Sequence, residues 1–282
     1  MVSLAGGCFL KFLPAVLLVL SQAPETYPLQ WTCRKGDKVA HTLTSKADLK
    51  GKRTVQGNPE DLEKLVTECK RYRDEVLEIA AQEPTQVRRK FTEWWEEVKK
   101  PSDAKPIRVA KTLQGKTIVL KKKGEETDFA GAPDAPAEEL RMNRLRHDVY
   151  LLSLPRKPVA VGHEWAVDEK ALAADLRDSI RGYDPVTSKA TGKFEKVEAY
   201  AGVQCAVVVF TLETEGTWRG WNVSKYQVRS QMRGWLSLDR GRMLAVRTEG
   251  STAFSADTQV GTVRTQVESS TTYTIETENV FE

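Results

Sequence analysis

Three segments near the C-terminus alternate apolar and polar residues for longer than an ordinary strand of about five or six residues, and this constrains the fold more than any motif does. From Tyr226 the even positions include Tyr226, Val228, Met232, Leu236 and Leu238, while the odd positions are Lys225, Gln227, Arg229, Gln231 and Arg233, with Trp235 the exception. Asp239-Arg240-Gly241-Arg242 supplies a turn, and the chain returns through Leu244, Val246, Thr248, Thr252 and Phe254. A further segment sets Val263, Thr265, Val267, Tyr273 and Ile275 against Arg264, Gln266, Glu268, Thr272 and Glu276. Successive side chains in a strand point to opposite faces, so one face of each segment is buried and one is wet. A strand of about fifteen residues reaches about 50 Å, and a sheet that tall must curve as it twists. The expectation is an α+β fold: a large curved antiparallel sheet, a half-barrel, with helices packed on one face.

The N-terminus bears on the compartment. Lys11 precedes the apolar run from Phe12 to Leu20, which exits at Ser21-Gln22-Ala23. A basic residue, an apolar run of about nine residues and a small-residue exit read as a signal peptide over 1–23, too short to span a bilayer. The protein is then exported, to a periplasm, a cell surface or the medium. Ala5-Gly6-Gly7-Cys8 resembles the end of a lipobox but lacks a preceding apolar run. Removing the leader takes away one lysine, so the formal charge moves from +4 to +3, too balanced to demand nucleic acid or an anionic membrane surface. Cys33, Cys69 and Cys205 remain. Cys205 lies in an apolar strand, which leaves Cys33 with Cys69 as the one disulfide worth testing.

The remainder, 24–282, reads as one domain with a helical insertion at about 58–99. Leu29 to Cys33 and Val39 to Leu49 form a first hairpin, partnered with the C-terminal strands. Asn58 then caps a helix with Pro59 at its first position and a stripe of Leu62, Leu65, Val66, Cys69, Tyr72, Val76 and Ala80. A second helix follows Pro84, with Val87, Phe91, Trp94, Trp95 and Val98 at helical spacing. Ile107 to Ala110 and Thr117 to Leu120 make another hairpin, and helices are expected over about 137–150 and 169–180.

Pro-Val-x-Val-Gly-x-x-Trp at Pro158 to Trp165, Gly-Val-Gln-Cys-Ala at 202–206 and the Leu-Asp-Arg-Gly-Arg-Met-Leu turn resemble a family of exported bacterial proteins of unknown function. Their layout is similar to that of LolA-type periplasmic lipoprotein carriers, whose curved sheet binds acyl chains. The resemblance covers roughly 150–280 and the first hairpin, and it implies a hydrophobic cavity. The insertion at 58–99 departs from that pattern, and no functional residue transfers one by one.

Catalytic signals are sparse. Ala110-Lys111-Thr112-Leu113-Gln114-Gly115-Lys116-Thr117 fits a loose phosphate-binding loop, yet the following Ile118-Val119-Leu120 reads as a strand, where that loop needs a helix. His41, His147 and His163 fall in separate segments without zinc-ligand spacing, so no metal is expected. No nucleophile elbow occurs, and a hydrolase ranks third among the readings. The leading reading is a non-enzymatic protein, without cofactor, that binds a lipid or other apolar ligand between Trp94 and Trp95 on a helix and Tyr226, Val228 and Met232 on the sheet. The alternative is a cell-envelope scaffold that meets a protein partner through Trp218, Trp221 and Trp235, since an indole offers both an apolar body and a donor. Asn222-Val223-Ser224 is a glycosylation sequon that matters only in a eukaryotic source.

Overall fold

A computed structural model describes residues 24–81, 83–124, 126–145, 149–180, 182–219 and 223–282. Residues 1–23 with Cys8, over which a signal peptide is expected, His147, and Trp221 with Asn222 lie outside the described residues.

The protein is mostly β, built on one 12-stranded antiparallel sheet that does not close. A two-residue strand β1 (Thr26–Tyr27) opens the described chain, followed by β2 (Lys38–Val55), β3 (Asn58–Ala80) and β4 (Glu83–Lys99). Three shorter strands come next: β5 (Ile107–Ala110), β6 (Thr117–Lys123) and β7 (Glu126–Ala130). The helices α1 (Ala137–Met142) and α2 (Val149–Leu152), the strands β8 (Val159–Ala160) and β9 (Glu164–Ala166), and α3 (Glu169–Ser179) form the connection. The chain ends in the meander β10 (Tyr183–Tyr200), β11 (Val203–Trp218), β12 (Val223–Ser237), β13 (Met243–Val260) and β14 (Val263–Phe281). Strand order is β7-β6-β4-β3-β2-β14-β13-β12-β11-β10-β9, with β5 also on β4 and β1 paired with β8 in a separate ribbon.

The expected meander is present, and β2 pairs with β14 from Val55↔Thr265 to Val39↔Phe281. The helical insertion is not. Residues 58–80 and 83–99 are strands β3 and β4, paired with each other and, through β3, with β2. Gln56 and Gly57, at φ of 51° and 83°, make the two-residue turn that returns β2 directly into β3. Helix-favouring Glu, Lys and Leu in β3 are overridden because the 18 residues of β2 offer a continuous pairing edge. The first hairpin is also corrected: β2 begins at Lys38, residues 29–33 are not a strand, and Leu29 is buried against the sheet. β5 and β6 each pair with β4 rather than with one another. The helix expected over about 137–150 is two short pieces, whereas α3 forms as expected, with Asp168 Oδ1 accepting from Ala171 N at 2.7 Å.

Residues paired directly across neighbouring strands share a face, so the register sorts the sheet into two sides. On one side, Leu172 and Leu176 of α3, Val149 of α2 and Leu29 cover Phe194, Val208, Phe210 and Leu236 as a first core. Burying each of these large side chains stabilises the fold by about 1.5–3 kcal/mol. A second core on the same side, at the far end of the sheet, packs Val87, Phe91 and Trp94 of β4 with Ile118, Leu120 and Leu113 beneath Ala132, Ala135 and Leu140. The opposite side is largely polar, except where Trp235 and Tyr200, 5.3 Å apart, shelter the fully buried Cys205 and Val207. Cys33, Cys69 and Cys205 are all free thiols.

Candidate functional site

Among the described residues, the two cores leave a stretch of their shared side uncovered. Neither core contains a residue of β14 or β2. On this side the cross-strand register produces a row of Ile275, Ser45 and Glu68, and beside it a row of Tyr273, Ala47, Val66, Val98 and Ile107. Thr271 and Leu49 follow, then Phe254, Ser269 and Gly51. Most of these side chains are half-buried by their neighbours in the sheet alone. The apolar row runs out to the exposed strand β5, where Ile107 is 62% and Val109 56% accessible. The floor is therefore mostly apolar from β14 to β5, interrupted by the Glu68 carboxylate and by hydroxyls of Ser45, Thr271 and Ser269, and it is bounded by one packed core at each end.

The first wall carries an aromatic cluster. Tyr226 sits edge-on to Tyr183 at 5.2 Å and to Trp218 at 5.3 Å, and Phe254 completes it 6.2 Å from Tyr226. Burial pushes the Tyr226 and Tyr273 hydroxyls above their ordinary pKa, and each is hydrogen-bonded, to Thr252 and Ser230 respectively. Val228 is inside the first core, and Met232 packs against it.

The second wall is charged at its heart. Asp74 accepts from both Nε and Nη2 of Arg89, at 2.8 and 2.7 Å, in the bidentate geometry that suits a buried pair. His41 Nε2 stands 3.6 Å from the same carboxylate, and its Nδ1 donates to Asn279 Oδ1 at 2.7 Å, since the Asn279 amide donates onward to Met243 O. Lys70 Nζ donates to Asn143 Oδ1 at 2.6 Å and lies 4.6 Å from the centre of the Trp94 ring. Burial, with help from Arg89 and against Glu68 and Asp74, pulls the Lys70 pKa down to about 7. Sequence reasoning missed this cluster. Its signal was present in the repeated Lys70, Tyr72, Asp74 alternation, which places a cation and an anion on what is otherwise an inward face.

The expected site residues do not converge. Trp94 and Trp95 lie on a strand separated from β12 by four intervening strands, and they point to opposite sides of it: Trp94 pairs with Lys70, Trp95 with Cys69. Trp94 is fully buried, and its Nε1 donates to Glu68 Oε1 at 2.6 Å. Trp95 instead stacks under the Arg108 guanidinium, 3.5 Å from the ring centre. Trp218 packs into the Tyr226 cluster, and Trp235 donates to Glu198 Oε1 at 2.7 Å on the far side of the sheet. A depression of about 510 Å³ on that far side is lined by Lys50, Lys52, Lys225, Ala253, Ser255 and Ser270 among others. The Lys111–Thr117 loop places Leu113 in the second core and runs into β6, so no helix N-terminus meets a phosphate there. Among the described residues no group of three or more His, Cys, Asp or Glu side chains is placed to hold a metal ion.

These features define a class: an open, mostly-β sheet protein with an uncovered apolar floor between two cores. No protein-family model matches the chain, and no curated protein matches it. Two solved structures are similar in part. One, described by the words lipid-protein interactions in lipovitellin, overlaps with a TM-score of 0.46 at 8% identity, covering 88% of this chain and 25% of that one. This chain thus spans about a quarter of that protein's length. The other, a DUF1329 family protein from Desulfovibrio piger, overlaps with a TM-score of 0.17 at 10% identity, covering 80% of this chain and 83% of that one. At these scores neither defines the ligand.

Proposed function

We propose that this is a non-enzymatic, exported protein that holds an apolar ligand on the open floor formed by β13, β14, β2, β3, β4 and β5. The carrying observation is the uncovered row of Tyr273, Ala47, Val66, Val98 and Ile107, lying on the same side as both cores yet belonging to neither. Contiguous apolar surface of this kind is costly in water and marks a binding surface more often than chance. The site differs from the one expected from the sequence: Tyr226 and Met232 form its wall, and Trp94 sits inside the second core. The scaffold alternative loses part of its motive, because Trp218 and Trp235 are both engaged within the fold.

The test is organic extraction and native mass spectrometry of protein purified without detergent, beside an Ile275→Glu variant. A co-purifying apolar mass in the wild type that is lost from the folded variant supports the reading. Equal occupancy in both removes the floor as the site.

A further inference from the structure

Lys70 is a cation where a cation is hardest to keep. It lies in the cross-strand row Thr277, Leu43, Lys70 and Trp94, where the open floor meets the second core. The residue is 8% exposed, and its ammonium faces the rings of Trp94 at 4.6 Å, Tyr72 at 5.1 Å and Phe91 at 5.7 Å. Nζ donates to Asn143 Oδ1, and among the described residues no carboxylate comes within 4.0 Å of it. The carboxylates nearby are engaged elsewhere. Asp74 is held by Arg89, Glu68 by the Trp94 indole, and Glu139 by the backbone N–H groups of Thr112 and Leu113. An ammonium has three N–H donors, so two remain beyond Asn143, and ring faces offset a buried charge only in part. A buried cation without a counterion is strongly disfavoured, and an arriving anion would relieve it.

Resting on the apolar-ligand reading, we propose that the ligand is a long-chain carboxylate whose acyl chain lies along β2 over Leu43, Ala47 and Leu49 and whose head group is taken by Lys70. Leu43 is the direct cross-strand neighbour of Lys70, so the floor ends at the residue that carries the ammonium, whose Nζ reaches on towards Asn143 and the Trp94 ring. From Leu43 to Gly51 the floor extends about 26 Å along β2, at ~3.3 Å per residue. Two carboxylate oxygens match two spare N–H donors. A neutral amphiphile of the same length gains the floor but not the ion pair.

The placement carries a pH signature. Lys70 must be protonated to pair with the ligand, and burial holds its pKa at about 7. Above that pH binding takes up a proton, so affinity falls by about tenfold per pH unit. The charged and titratable groups facing Lys70 are Glu68, Tyr72 and Asp74 on β3, Arg89 on β4, His41 on β2, and Glu139 behind Asn143 on α1. Burial lowers His41 and raises Tyr72, so both stay neutral between about pH 7 and 9. Arg89 remains a cation throughout.

The experiment titrates palmitate and hexadecanol into the delipidated protein by calorimetry at about pH 6.5 and about pH 9, with Lys70→Met and Lys70→Gln alongside. The expected result is a palmitate preference of about tenfold or more at the lower pH, lost at the higher one. Hexadecanol binding is pH-independent, and the variants bind both probes alike. Equal binding of both probes by the wild type, or a pH-dependent preference that survives in whichever variant folds, overturns the head-group assignment and leaves the apolar reading standing. Failure of both probes to bind overturns the apolar reading, and the assignment with it.

Discussion

Replacing Lys70 by methionine should stabilise the protein, by an amount that shrinks as pH rises. The folded-state pKa of Lys70 is depressed from 10.5 to about 7, chiefly by burial. The unfolded chain therefore holds the extra proton between these values, and wild-type stability rises with pH across that window. Each pH unit of the window is worth about 1.4 kcal/mol, which sets a ceiling of about 4–5 kcal/mol on the destabilisation at pH 7 and below. Methionine removes this penalty and fills a similar volume, but it forfeits the Asn143 hydrogen bond, about 1 kcal/mol, and the cation–π contact with Trp94, about 1 kcal/mol. The expected net gain is about 2 kcal/mol near neutral pH, gone by about pH 10. Urea denaturation of both proteins at three pH values reads the difference directly, because the other titrating groups cancel between them. A variant that is less stable at neutral pH, or a difference that does not change with pH, would rule out a buried, uncompensated ammonium at this position.

Three further outcomes are expected. Asp74→Asn leaves Arg89 and Lys70 as neighbouring buried cations, so it should lower stability by about 3–5 kcal/mol in chemical denaturation, more than loss of an exposed pair such as Lys193–Glu164. Gly192→Ala would drive a Cβ into the Trp165 ring, and expelling the indole should cost about 1–3 kcal/mol and change the near-ultraviolet dichroism. An unchanged spectrum would contradict that contact. Phe210→Ala should cost about 3–5 kcal/mol, since Phe210 is buried beneath Tyr150 and Trp165 in the first core, and thermal unfolding measures it.

The parts of the fold legible in the sequence are those whose strands run without interruption on one face. In β12 to β14 the inward positions keep one parity for most of their length, so period two is plain. In β3 and β4 it is broken by bulges. The register shifts between Arg71 and Tyr72, which puts Phe91 and Trp94, three residues apart, on the same face of β4. Val87, Phe91 and Trp94 then imitate helical spacing while lying on a strand. Asn58-Pro59-Glu60-Asp61, which resembles a helix start, instead occupies the outer end of β3, where proline and acids suit an edge with no further strand beside it. The floor was legible only as inward positions of β13 and β14. Its uncovered state depends on where α1 and α3 dock, which is set by tertiary packing and leaves no local pattern. Lys70 was hidden for the same reason, since a lysine in a charged segment looks solvated until the register places it beside Trp94.

Whether the floor holds an apolar ligand is read most directly by native mass spectrometry with organic extraction, on the protein purified gently and without detergent. The expected result is a reproducible apolar mass that leaves on delipidation and whose loss lowers the unfolding temperature. A clean ligand-free mass, with stability indifferent to delipidation, would mean that the floor is not a ligand site.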